Sequence, residues 1–179
     1  YVRYDPHPVG DPWGRLAFRR RDEGERVEQH LGAAVAAVLD DAEPDADLAG
    51  VLDAIAAIGD APAAVVTSAT HELARVRLAA AGIGIAQVVT FDDVERGKPH
   101  PDPFLLAAQR LGVDPTDCLV CEDAPSGVAA ARAAGCSVLA VTTTSTPDEL
   151  GDADLVVSSL ADVVFEVVDG RVRVHPRQP

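Results

Sequence analysis

The chain has 179 residues, 47% apolar and 4% aromatic, and a formal net charge of −14. That is enough apolar material for one domain of ordinary size, and the acidity argues against nucleic acid or an anionic membrane as partner. No apolar run approaches the roughly 20 residues that span a bilayer, no signal peptide is visible, and three cysteines do not make a secreted disulfide framework. The expectation is an acidic cytoplasmic protein.

The first 14 residues, YVRYDPHPVGDPWG, hold three Pro and two Gly and read as an irregular lead-in. From Arg15 to about Asp41 the spacing of Val27, Leu31, Ala34, Val35, Val38 and Leu39 predicts helix. Glu43-Pro44-Asp45 interrupts it, and a second helix is expected over Leu48–Ile58, ended by Gly59. The rhythm then changes. Apolar strands are expected at Ala63–Thr67, Gln87–Phe91, Cys118–Cys121, Ser137–Val141 and Leu155–Val157. Helices alternate with them at His71–Ala81, Asp102–Leu111 and Pro125–Ala134. Continuous apolar strands alternating with helices of about ten residues predict an α/β fold, a parallel sheet sandwiched by helices. In the tail, VVFEVVDGRVRVHP places Asp169-Gly170 between two alternating runs, a hairpin signature. Cys118 and Cys121, three apart on one strand, point to opposite faces and read as buried thiols rather than a metal motif.

In open parallel sheets, ligands sit at the carboxyl ends of the strands. After AAVVT come Ser68, Ala69 and Thr70: a hydroxyl and backbone N–H groups at a helix start, suited to an anion or to simple capping. After QVVTF a loop carries Lys98 between Gly97 and Pro99, a compact cation suited to phosphate oxygens. His100 beside it reads as solvent-facing. After CLVC stand Glu122 and Asp123. Adjacent carboxylates at a strand end repel unless something positive is near, and Mg²⁺ takes one or two carboxylates with phosphate oxygens and water. A capping acid before the helix at Pro125 would account for Asp123 but not Glu122. Thr142-Thr143-Thr144-Ser145 is a polar loop on the same edge with no assignable chemistry. Hydroxyl, lysine and acidic pair are the parts that hold a phosphoryl group with Mg²⁺.

VVTSAT, RGKPHPDPF and CLVCEDAPSGVAAARAAG, taken in order, closely resemble the second, third and fourth motifs of the haloacid dehalogenase-like (HAD) hydrolases. The resemblance is to the phosphatase and β-phosphoglucomutase branch with a helical cap, and it covers Leu48 to Leu160. It implies a Rossmann-like core over 45–179, a lead-in and partial helical cap over 1–44, and a Mg²⁺-dependent phosphatase of a small phosphorylated metabolite, a sugar or polyol phosphate. By the same resemblance Ser68 and the Ala69 N–H bind the phosphoryl group and Lys98 neutralises it. Asp123 binds Mg²⁺ directly, and Glu122 binds through water or orients a ligand. Ser68 and Lys98 would be the catalytic pair.

The family's first motif, a strand ending in Asp-x-Asp with the aspartyl nucleophile, finds no match. Tyr4-Asp5 and Val38-Leu39-Asp40-Asp41 both lack its pattern. The expectation is therefore a core without its first, central strand, with the nucleophile outside this chain. It implies a piece of a longer protein (the chain starts at Tyr1), a degenerate homologue, or a strand supplied by another chain. Three rivals remain beside the phosphatase: a sugar-phosphate mutase sharing the same motifs, a metal-free dehalogenase, disfavoured by the acidic pair, and a non-catalytic binding protein. A signalling receiver domain is disfavoured by order, since its acids precede the hydroxyl and the lysine. Arg19-Arg20-Arg21 reads as a solvated charge run or a phosphate contact in the cap.

Overall fold

The computed structural model describes residues 31–32, 35–37 and 48–177. Six strands form one parallel sheet in the order β4-β3-β2-β5-β6-β7. They are β2 (Val35–Ala37), β3 (Ala63–Val66), β4 (Gln87–Val89), β5 (Leu119–Glu122), β6 (Ser137–Val141) and β7 (Leu155–Val157). A second, antiparallel sheet joins β1 (Leu31–Gly32) to the hairpin β8 (Val163–Val168) and β9 (Arg171–Pro176), in the order β1-β9-β8. The helices are α1 (Leu48–Ile58), α2 (His71–Ala80), α3 (Asp102–Leu111) and α4 (Pro125–Ala134). The sandwiched parallel sheet and the terminal hairpin match the expectation.

The strand residues divide between two cores with a period of two, as the pleat requires. Val65, Leu119, Cys121, Leu139 and Val141 meet α1, Leu78 of α2, and Phe165 and Val172 of the hairpin. Ala64, Val66, Val120, Val138 and Ala140 meet Phe104 and Ala107 of α3 and Val128 and Ala131 of α4. Both faces are dry, so both alternating sets must be apolar, and the strands therefore read as unbroken apolar runs. Cys118 and Cys121 fall in opposite cores, and all three cysteines are buried. The hairpin turns through Asp169 (φ 54°) and Gly170 (φ 74°). Two successive left-handed residues are what a tight hairpin needs, and Asp-Gly supplies them.

Two expectations are corrected. The helix expected over Arg15–Asp41 does not hold where the structure describes that segment: Leu31–Gly32 and Val35–Ala37 are strands. AAVAAV is made only of small apolar residues, so it satisfies a helical and a fully buried strand pattern equally; the sheet decides between them. The core was also expected to lack a strand and leave its neighbours' edges unpaired. Instead β2 runs parallel between β3 and β5, with Ala37 opposite both Val65 and Cys121. A gap between two strands is an open row of unpaired N–H and C=O groups, and β2 fills it. Smaller shifts follow from local turns. The β4 run stops at Val89, and Phe91–Asp93 form a single 3₁₀ turn. The β5 run extends to Glu122, which is thus the last strand residue rather than the first loop residue.

Candidate active site

Every pair in the six-stranded sheet is parallel, so the ends of β3, β5 and β6 and the loop after β4 share one edge. Lys98 reaches this edge from the β4–α3 loop. His100 N–H closes a turn on the Gly97 carbonyl at 3.0 Å, the Lys98–Pro99 peptide is cis, and Arg96 grips Asp102 at the start of α3 through two hydrogen bonds of 2.8 and 2.9 Å. The Phe104 ring lies under the ammonium, 5.5 Å from its centroid, within cation–π range. Lys98 Nζ donates to the Val66 carbonyl at 3.3 Å and to Glu122 Oε1 at 2.6 Å. Val66 ends β3 and Glu122 ends β5. Lys98 therefore bridges the two strands that flank β2, across the carboxyl end of the central strand.

Glu122 is fully buried. Its second oxygen, Oε2, accepts from the N–H groups of Asp123 (3.1 Å) and Ala124 (3.2 Å), just ahead of α4. Both carboxyl oxygens are thus engaged. Burial raises the Glu122 carboxyl above its ordinary range, and the Lys98 charge and hydrogen bond oppose that rise. A Cβ on Gly127, in the first turn of α4, would overlap the Glu122 carboxyl atoms Oε1, Cδ and Oε2. The helix start can close over this carboxylate only with glycine there.

Asp123 is 4% exposed. Its Oδ2 accepts from the hydroxyls of Thr143 (3.1 Å) and Thr144 (3.0 Å), on the loop after β6. Thr144 Oγ1 also lies 3.1 Å from the Asp123 carbonyl. Its Oδ1 is buried and, among the described residues, has no hydrogen-bond partner. A buried, unpaired carboxylate oxygen is costly, and a hard cation would satisfy it. One free carboxylate oxygen at a strand end fits Mg²⁺, which takes few protein ligands and completes its shell with phosphate oxygens and water. Among the described residues no three metal-ligating side chains cluster, so such an ion would draw most of its shell from elsewhere.

Ser68 stands exposed on the same edge, beyond the end of β3. Ala69 is buried, and its N–H donates to Thr67 Oγ1 at 3.1 Å rather than pointing outward unpartnered. The His71 N–H, at the first position of α2, donates to Asp92 Oδ2 at 2.8 Å. The start of α2 is therefore capped by the β4 turn. That turn is itself locked: Asp93 accepts from Arg110 Nη2 (2.6 Å) and from the Thr90 N–H and hydroxyl (both 2.8 Å). His100 is exposed, as expected. Asp5, Arg19, Arg20, Arg21, Asp40 and Asp41 lie outside the described residues. Sequence reasoning missed Thr143, Thr144, Phe104 and Gly127. The signal for the threonines was their place after the strand next to β5.

At its ligand edge the parallel α/β sheet joins a buried lysine–carboxylate pair to a second carboxylate with one oxygen unpartnered among the described residues. A family model of the haloacid dehalogenase-like hydrolases matches residues 12–135, and the chain belongs to that family. It is 47% identical over 103 residues to hexitol phosphatase A of Escherichia coli, covering 57% of this chain and 48% of that protein. It is 49% identical over 79 residues to the fructose-1-phosphate phosphatase of the same organism, covering 43% of this chain and 42% of that one. A haloacid dehalogenase-like protein of unknown function from Agrobacterium tumefaciens superposes with a TM-score of 0.57 at 30% identity, over 63% of this chain and 56% of its own. The chain spans about half the length of the curated relatives it matches.

Proposed function

We propose that this chain carries the phosphate- and metal-binding edge of a Mg²⁺-dependent phosphatase acting on a small phosphorylated sugar or polyol. The observation that carries the reading is Asp123: a nearly buried carboxylate with one oxygen held by two hydroxyls and the other, among the described residues, left without a partner. The kinship with phosphatases of hexitol and fructose 1-phosphate supports the substrate class.

Asp123 Oδ1 would hold the ion, which when bound supplies positive charge against the oxygens of the transferring group. Lys98 contributes a second positive group, delivered to the end of the central strand and kept in place by Glu122, the Val66 carbonyl and Phe104. Ser68 and the N–H groups around it offer hydrogen bonds to the phosphoryl oxygens; the Ala69 N–H must leave Thr67 to take part. Glu122 acts on Lys98 and on the start of α4 rather than as a direct ligand. The nucleophilic carboxylate of an aspartyl-phosphate route would come from outside the described residues, as would the cap. Precharged, fixed groups of this kind need no reorganisation when charge develops.

The test is phosphate release from a panel of hexose, hexitol and glycerol phosphates, with Mg²⁺ and with EDTA. Release that EDTA and Asp123→Asn both leave unchanged contradicts the reading. Conversion of a sugar 1-phosphate to its 6-phosphate, with no free phosphate, would favour the mutase instead.

A further inference from the structure

The loop after β6 serves Asp123 in a way that the sequence motifs do not assign. Two consecutive hydroxyls, on Thr143 and Thr144, converge on the same oxygen, Oδ2, at 3.1 and 3.0 Å, and Thr144 adds a contact at 3.1 Å to the Asp123 carbonyl. The opposite oxygen, Oδ1, is buried and has none among the described residues. β5 and β6 are neighbours in register, Glu122 opposite Ala140, so the residues that follow both strands are brought side by side. The carboxylate is therefore turned to a fixed angle, with one oxygen occupied by hydroxyls and the other left for a ligand.

We propose that Thr143 and Thr144 are positioning residues that make Asp123 a one-oxygen ligand, and that they thereby favour Mg²⁺ over Ca²⁺ at this edge. The proposal rests on the metal reading above. Its physical basis is the difference between the two ions. Mg²⁺ demands near-octahedral geometry at about 2.0–2.1 Å and accepts carboxylates through one oxygen, whereas Ca²⁺ takes about 6–8 ligands and uses both oxygens of a carboxylate freely. A carboxylate with Oδ2 already bonded to two hydroxyls cannot swing to offer both oxygens without breaking those bonds. Freed of the hydroxyls it can, and the larger ion gains the second contact. Groups that orient a metal ligand typically change metal affinity by about 10–100-fold when removed.

The experiment is calorimetric titration of the chain with Mg²⁺ alone and with Ca²⁺ alone, in the unmodified form, in Thr143→Val/Thr144→Val and in Thr143→Ser/Thr144→Ser. Valine keeps the shape of threonine and removes the hydroxyl; serine restores the hydroxyl. The expected result is Mg²⁺ binding weakened by about 10-fold or more in the valine form, a fall in the Mg²⁺/Ca²⁺ affinity ratio of similar size, and recovery of both in the serine form. Should the double valine form not fold, Thr144→Ala, at an exposed position, reads the same ratio with one hydroxyl removed. Unchanged Mg²⁺ affinity and ratio in the folded variants overturns the proposal and leaves the metal reading standing. Absence of Mg²⁺ binding by the unmodified chain overturns both.

Discussion

Lys98 Nζ lies 2.6 Å from Glu122 Oε1, with the two side chains 3% and 0% exposed. Such a pair is not an obvious gain in stability, because removing two charges from water costs nearly as much as their attraction returns. What it achieves is position. Glu122 can hold the ammonium across the end of β2 only because its other oxygen is anchored on the N–H groups that start α4. The pair therefore ties the β4–α3 loop, the end of β5 and the start of α4 into one unit at the ligand edge.

Removing the cation leaves a buried charge. Lys98→Met is expected to lower stability by about 3–5 kcal/mol near neutral pH, while Lys98→Met/Glu122→Gln loses much less than the two single changes added together. The pH dependence has a definite sign. Burial holds the Glu122 carboxyl above its ordinary 4.5, and losing Lys98 removes the opposing pull. A raised carboxylate contributes stability that is present below the unfolded value and lost as pH rises through the folded one. Urea midpoints of Lys98→Met should thus fall as pH rises above the ordinary carboxylate range, more steeply than those of the unmodified chain.

Glycine to alanine within a helix usually stabilises by about 0.4–1 kcal/mol. At Gly127 the sign should reverse, because the added methyl overlaps the Glu122 carboxyl group. A loss of about 1–3 kcal/mol is expected from overpacking, with the Lys98 contact displaced as a consequence. Equilibrium unfolding of Gly127→Ala checks this, and a gain in stability would show that the carboxyl can move aside at no cost.

The β4 turn is a source of acid sensitivity. Burial works to raise the Asp93 carboxyl, but the Arg110 hydrogen bond, the Thr90 N–H and hydroxyl and the Arg110 charge outweigh it and hold it down to about 2, against an ordinary 3.8. The side chain is 11% exposed, so the shift is not lost to solvent. A depressed carboxylate contributes stability above its unfolded value, lost as pH falls through the folded one. At about 1.4 kcal/mol per unit this amounts to about 2 kcal/mol. Asp93→Asn should be less stable by about that much at neutral pH, and the two stability curves should converge as pH falls from about 4 toward 2.

Much of the sheet was legible because β3, β5 and β6 are buried on both faces and therefore spell apolar runs between glycine-ended helices. The hairpin was legible because Asp169-Gly170 can adopt two left-handed residues. That Lys98, Glu122 and Asp123 gather on one edge was legible because a charge after an apolar strand has few structural uses. Val35–Ala37 was not, since small apolar residues carry no period of their own and only the open slot between β3 and β5 defines them as a strand. Nor was the engagement of Glu122 with Lys98, 24 residues away, or the convergence of Thr143 and Thr144 on Asp123. These are contacts between loops that only the sheet order brings together.

The most direct test of a phosphate and metal edge is calorimetric binding of inorganic phosphate to the chain with and without Mg²⁺. If bound Mg²⁺ tightens phosphate, phosphate must tighten Mg²⁺ by the same factor. Phosphate is expected to bind more tightly with Mg²⁺ present, Asp123→Asn should remove that enhancement, and Lys98→Met should weaken phosphate binding under both conditions. Phosphate binding that is indifferent to Mg²⁺ and to both substitutions, or no phosphate binding at all, would contradict the assignment of this edge.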